Sequence, residues 1–477
     1  MAGKRELRIG LFGIGLAAYW PQFPGLEDRL KGYLRKVEER LSGPARTVVN
    51  FQLVDSPERG YEIGHKARQE DVDILVLYVT TYALSSTVLP VVRRAKVPVL
   101  VLNLQPSPAL DYEYVNGLTD RTIMTGEWLA YCSSCPAPEI ANVFTRVGVP
   151  FHEVTGSLEG DPQCWQEVEE WMTAAQVVHS MSHLRLGLLG HYYSGMLDVV
   201  TDLTSVASTF GSHVEMLEVD ELSALRRTVS DGAIARRVAQ FRDVFSVAKD
   251  CLESELERAA RTSIALDEFV ERHSLDAMAY YYKGTGIAEN EDTMSSIILG
   301  TSLLTARGLP VAGEFEVKNV LAMKILDLLQ AGGSFTEYYA ADYRDDVILL
   351  GHDGPGHPQI AEGKTVVRPL REFHGKVGMG LSVEMSLKTG PATCLSVVDY
   401  RSSGFKLLIA EGEVVHGKTL EIGNTNSRFR FQCGAREFIR LWNQQAPAHH
   451  CAVGIGHHAG ELEKVARLLN IESVKIC

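Results

Sequence analysis

At 477 residues, 45% hydrophobic and 22% charged, the chain exceeds one ordinary domain, so two or three globular domains are expected. Acidic residues outnumber basic ones by 60 to 47, and no basic cluster interleaved with aromatics could follow a phosphate backbone, which argues against a nucleic-acid partner. No stretch reaches the roughly 18 apolar residues of a membrane span, the N-terminus lacks a sustained apolar export segment, and eight cysteines are too sparse for a disulfide scaffold, so a cytoplasmic protein without a membrane partner is the expectation.

From the N-terminus, four Val-, Leu- and Ile-rich runs alternate with helical patterns: LRIGLFGIG (7–15), TVVNFQLV (47–54), DILVLYVTT (73–81) and VPVLVLNLQ (97–105). Continuous apolar strands separated by helices predict a doubly wound parallel sheet. A long helix over 161–181 leads into a second series, LRLGLLG (184–190), HVEMLEV (213–219), LDAMAYYY (275–282) and GLPVAGE (308–314). After about 331 the pattern changes to short alternating strands joined by Gly, Ser and Asn, which reads as antiparallel β. The expected fold class is therefore α/β: two doubly wound, Rossmann- or flavodoxin-like domains over 1–175 and 176–330, then a mainly antiparallel β domain over 331–477.

Several motifs have plain readings. The GIG at 13–15 lacks the third glycine of a dinucleotide fingerprint and reads as a tight turn. CSSC at 132–135 has no second cysteine pair nearby and reads as ordinary thiols. His191 and Met196 follow a strand, where they could line a pocket or pack in a turn.

Other residues resist a structural reading. Glu314 sits where a strand hands over to a helix, the crevice position of an open α/β sheet. Glu337 lies in GGSFTEYY, His352 in LLGHDGPGHP, and the pair His457 and His458 follows the strand-like run 451–456 just before a helix. Two carboxylates and two imidazoles of this kind suit a divalent ion such as Mn²⁺.

In the same order and at similar separations, AGEFEVKN (312–319), GGSFTEYY (332–339), LLGHDGPGHP (349–358), TGPATCLSVVD (389–399) and IGHHAGELEKVARLLNIE (455–472) resemble motifs of the L-arabinose isomerase family. NLQPSPALDY (103–112), EVTGS (153–157) and SGM (194–196) extend the resemblance over most of the chain. It implies metal ligands at Glu314, Glu337, His352 and His458, with Glu314 and Glu337 also serving proton transfer. It further implies substrate contacts at Gln105, Met196 and Tyr339, and a homotrimer or homohexamer whose sites lie near subunit interfaces. The sequence departs from the family at GLAAYWPQFPG (15–25), where Gln22 is offered as an equivalent, and at Phe315 and Glu316, where the family has Gly and Asp. The activity implied is a metal-dependent aldose–ketose isomerase acting on L-arabinose or a related sugar. A sugar-binding protein without catalysis, or another metal-dependent sugar enzyme such as an epimerase or hydrolase, stands as the alternative.

Overall fold

The computed structural model describes residues 6–283, 286–370, 372–373, 376–377, 379–400 and 404–477. It divides into two compact units, one ending at His179 and one running from Ser180 to Cys477.

The first unit is a five-stranded parallel sheet of β1 (Leu7–Ile14), β2 (Arg46–Val54), β3 (Ile74–Tyr78), β4 (Val99–Gln105) and β5 (Phe151–Ser157), in the order β2-β1-β3-β4-β5. This is the flavodoxin-like winding. Every crossover is helical, through one to three helices. Leu26–Leu41 buries Leu26, Leu30, Leu34, Val37 and Leu41, a spacing of three and four that marks one helix face. Pro57–Gln69 starts from Ser56, whose side chain accepts from the Arg59 N–H at 3.2 Å. Strand β5 was not among the expected strands, because its sequence FHEVTGS is polar and half-exposed at the sheet edge.

The second unit repeats the parallel winding with β6 (Arg185–Leu189), β7 (His213–Leu217), β9 (Ala277–Tyr280) and β10 (Val311–Ala312), ordered β10-β9-β6-β7. A small sheet joins β8 (Ser246–Val247), β13 (Val366–Pro369) and β16 (Leu381–Glu384), and β14 (Glu372–Phe373) pairs with β15 (Lys376–Val377). The remaining strands form a closed antiparallel barrel: β11 (Gly332–Asp342), β12 (Val347–His352), β17 (Gly390–Asp399), β18 (Phe405–Val414), β19 (Thr425–Phe431) and β20 (His450–Ile455). They run β17-β20-β11-β12-β19-β18, and β18 returns to β17 through a ten-residue ladder, while β21 (Glu472–Lys475) adds in parallel to β18. Closure leaves no unpaired edge on the six barrel strands.

The helix Val317–Leu328 ties this unit together. All of its residues but Asp327 are buried, including Lys318 and Lys324, whose ammonium groups donate to the Asp198 and Gly308 carbonyls at 2.8 Å each. It packs on β11, β17 and β20 of the barrel and on β9 and β10 of the parallel sheet. The expected boundary near 330 thus falls at the end of a helix both sheets share, inside one compact unit. A disulfide joins Cys433 and Cys477, and both CSSC cysteines are free thiols. Among the described residues no helix is long and apolar enough to cross a membrane.

One glycine sets the spacing of the barrel where the histidines gather. A Cβ on Gly351 would lie 1.8 Å from the Thr425 carbonyl oxygen, a backbone atom that cannot swing aside. Gly351→Ala is expected to cost about 3 kcal/mol, the upper range for forced overpacking. Gly32→Ala, at a half-buried position of the helix Leu26–Leu41 where the nearest atom is an Arg35 side-chain nitrogen 3.6 Å away, is expected to be neutral or stabilising. Thermal unfolding of the two variants checks the contrast.

Candidate metal centre

Three barrel strands and one strand end of the parallel sheet meet at a cluster of carboxylates and imidazoles. Glu337 on β11 is paired across the ladder with Gly351 of β12 on one side and with His450 of β20 on the other. His352 closes β12, one residue beyond Gly351. Antiparallel register therefore brings Glu337, His352 and His450 together, and their ligand atoms lie within 4.8 Å of one another. Glu314 enters from the carboxyl end of β10, and its Oε2 lies 3.9 Å from His449 Nε2 and 3.3 Å from His450 Nε2, a second group of possible ligands. The turn that delivers it is strained: Glu314 and Phe315 are both left-handed, with φ of 54° and 60°, a conformation unfavourable for side chains with a Cβ.

Hydrogen bonds fix how the rings face. His352 Nδ1 is 2.7 Å from the Asp353 carbonyl oxygen, which can only accept, so Nδ1 carries the proton and Nε2 presents a lone pair. That Nε2 is 3.2 Å from His450 Nε2, which in turn is 3.3 Å from Glu314 Oε2. Glu314 Oε2 is buried yet receives no well-directed hydrogen bond. On its far side His450 Nδ1 lies 3.5 Å from Glu316 Oε2, and Glu316 is fully buried with Lys318 Nζ 3.4 Å away. Phe335 underlies both rings, with centroids 4.2 Å from His352 and 4.6 Å from His450.

The electrostatics separate the two imidazoles. Burial, reinforced by the neighbouring His450, drives the His352 pKa down to about 3. Burial opposes charge on His450 too, but the carboxylates of Glu314 and Glu316 overcome it and lift its pKa to about 9. Burial likewise works against ionised Glu314, and the imidazole of His450 outweighs it, holding the carboxyl below its usual range. Without a metal, a proton on His450 thus bridges carboxylates that would otherwise repel.

These residues fit a divalent ion. An orphaned carboxylate oxygen, a neutral imidazole nitrogen and a second imidazole backed by a buried carboxylate form a mixed N/O donor set with an orienting partner behind it. Glu314, Glu337, His352 and His450 would hold the ion.

The expected His458 is not part of this cluster. It stands at the N-terminus of the helix Ala459–Leu468, with Nε2 3.1 Å from the Ile455 carbonyl and Nδ1 3.7 Å from Glu461. His457 turns Nε2 toward the Gly412 carbonyl at 3.0 Å. Strand β20 separates these residues from His450 by about 17 Å at its usual rise per residue. The crevice rule that pointed to 457–458 holds for the carboxyl ends of parallel strands; β20 is antiparallel, and its amino end faces the cluster. The missed signal was the other pair, His449 and His450, which opens the same apolar strand.

The remaining expected residues divide by unit. Tyr339 on β11 has its hydroxyl 3.4 Å from Asn424 Nδ2. Burial and the charges of Asp353, Glu337 and Glu314 raise its pKa, so it belongs to the surroundings of the centre. Met196 ends the turn after β6, its N–H donating to the Tyr193 carbonyl at 3.3 Å. His191 packs on Tyr281 with centroids 4.4 Å apart. Gln105 and Gln22 belong to the first unit, Gln105 at the end of β4 donating to Ser134 Oγ at 3.3 Å and Gln22 in the short helix Tyr19–Gln22. His449, unforeseen, is gripped by Asp198, whose Oδ2 takes both its Nδ1–H at 2.6 Å and its backbone N–H at 3.0 Å. A larger groove of about 830 Å³ lies elsewhere in the second unit, but its arginines are matched by acids, as in Arg226 with Asp292 at 2.6 Å and Arg227 with Glu289 at 2.7 Å.

Comparison with known proteins finds sequence similarity to one family. The sequence model of the L-arabinose isomerase C-terminal domain matches residues 332–472, which span the barrel. The L-arabinose isomerase of Nocardioides sp. is 26% identical over 71% of this chain and 68% of its own length, and that of Vibrio parahaemolyticus 22% identical over 90% and 86%. A solved solute-binding protein from Agrobacterium vitis with bound D-fucose covers 64% of the chain and 93% of its own at 8% identity, but its TM-score of 0.13 carries no argument. The barrel is thus matched by the family's own C-terminal domain model, and the alignments run on into both parallel sheets, so the chain is similar to L-arabinose isomerases along most of its length.

Proposed function

We propose that the protein is a metal-dependent aldose–ketose isomerase acting on L-arabinose or a closely related sugar, with Mn²⁺ or another divalent ion at the four-residue centre. The observation that carries the reading is a pair of overlapping ligand triads, Glu314–His449–His450 and Glu337–His352–His450, that share His450.

Interconverting an aldose and a ketose moves a proton between C1 and C2 and exchanges a carbonyl with a hydroxyl. A bound divalent ion supplies Lewis-acid polarisation of the sugar oxygens. Glu314 and Glu337 then divide the base and acid roles, because one is buried and the other half-exposed, and different surroundings push paired carboxyls apart in pKa. Glu316 orients His450 through Nδ1, and Asp353 fixes His352 through its carbonyl. Phe335 keeps water from one face of both rings. The family resemblance supports a homotrimer or homohexamer as the working assembly.

Purified protein with Mn²⁺ and a panel of aldoses, assayed for ketose, tests this directly. Conversion of at least one aldose is expected, with deuterium entering the product in D₂O if the proton passes through a carboxylate. Sugar binding without conversion of any aldose would favour the sugar-binding alternative instead.

A further inference from the structure

Beside the metal centre the second unit holds a half-open cavity of about 140 Å³, below the usual range of ligand sites, which limits its occupant to a molecule no larger than one monosaccharide. Part of its wall belongs to the centre: Glu314, Asp353, Tyr280 and Gly354, where an added Cβ would lie 3.7 Å from His352 Nδ1 and 4.0 Å from the Tyr280 hydroxyl. Another part is apolar. Met294, Ile297 and Ile298, from the junction of the helices Ala288–Ser295 and Ile298–Ala306, line it with a thioether and branched alkyl groups. Ser295 shares that wall, but its hydroxyl already accepts from Arg258 at 2.7 Å and donates to the Asp292 carbonyl at 3.3 Å.

This lining selects among sugars. A substrate held at C1 and C2 by the centre directs its remaining carbons along the cavity, and a terminal CH₂OH set against Met294, Ile297 and Ile298 would give up water without a replacement partner. A terminal methyl loses nothing there. An anionic terminus is disfavoured as well, because Glu314, Glu291 and Asp353 line the cavity against the single cation Lys283 among its described residues.

Building on the isomerase reading, we propose that the preferred substrate is a neutral, terminally deoxygenated aldose, a 6-deoxyhexose, whose methyl group packs on Met294, Ile297 and Ile298. Calorimetric titration of the Mn²⁺-loaded protein with two alditol pairs, fucitol against galactitol and rhamnitol against mannitol, tests it without needing turnover. The deoxy member of at least one pair is expected to bind about tenfold tighter or more, the low end of what one methyl-sized group contributes in an apolar pocket. Ile298→Asn should abolish that preference; if that variant does not fold, Met294→Gln, closer in volume to the residue it replaces, is read on the same ratio. Equal or tighter binding of galactitol and mannitol overturns the proposal, as does absence of binding by all four. Failure of the isomerase reading looks different: the deoxy preference persists while no aldose yields a ketose.

Discussion

His450→Ala is expected to weaken Mn²⁺ binding by on the order of 100-fold or more, while His458→Ala leaves it unchanged. Loss of a partner that merely orients a ligand costs 10- to 100-fold in metal affinity, and in the proposed centre His450 is itself a ligand with Glu316 behind it. The His458 ring instead faces the Ile455 carbonyl and Glu461, at the far end of β20. The sign of the pH dependence follows from the same residue. With a folded pKa of about 9, His450 holds a proton at neutral pH that the ion must displace, so affinity rises with pH up to about 9 and loading releases protons. Titration calorimetry in buffers of different ionisation enthalpy counts them. Undiminished binding in His450→Ala, or loss of binding in His458→Ala, would reject the centre as described.

The second large effect concerns proton transfer. Glu314→Gln or Glu337→Gln keeps side-chain shape and one oxygen for the ion but removes the base. Each is expected to lower kcat by on the order of 10²-fold or more, with the sugar still bound. The two losses should not add if, as proposed, both residues serve one proton transfer between C1 and C2. Steady-state kinetics of the two single variants and the double variant decide this; full activity in both single variants would remove these residues from the mechanism.

Much of the fold was legible because burial on both faces of a parallel strand leaves continuous apolar runs, as in ILVLY at β3 and LVLNL within β4. Strand β5 escaped because an edge strand need not be apolar. Glu314 was legible from a local feature, a strand handing over to a helix. Glu337 and His352 emerged from their motifs, but their proximity depends on the β11–β12 register, which no local pattern states. His450 was hidden for a different reason. Its position is productive only because β20 runs antiparallel between β17 and β11, and strand direction within a barrel is a property of topology.

The place of β20 also bears on biosynthesis. This strand is late in the chain yet central in the barrel, inserted between two strands made long before it. A ribosome that has delivered everything through β19 has made an open sheet with a gap, exposing the backbone edges of β11 and β17 to any other extended chain. Only when residues 450–455 emerge does the gap fill, and the same event brings His450 to Glu314, 136 residues earlier in the chain. Ring closure and completion of the ligand set are thus a single late step, and nascent chains halted before it are the species that a chaperone must shield from aggregation.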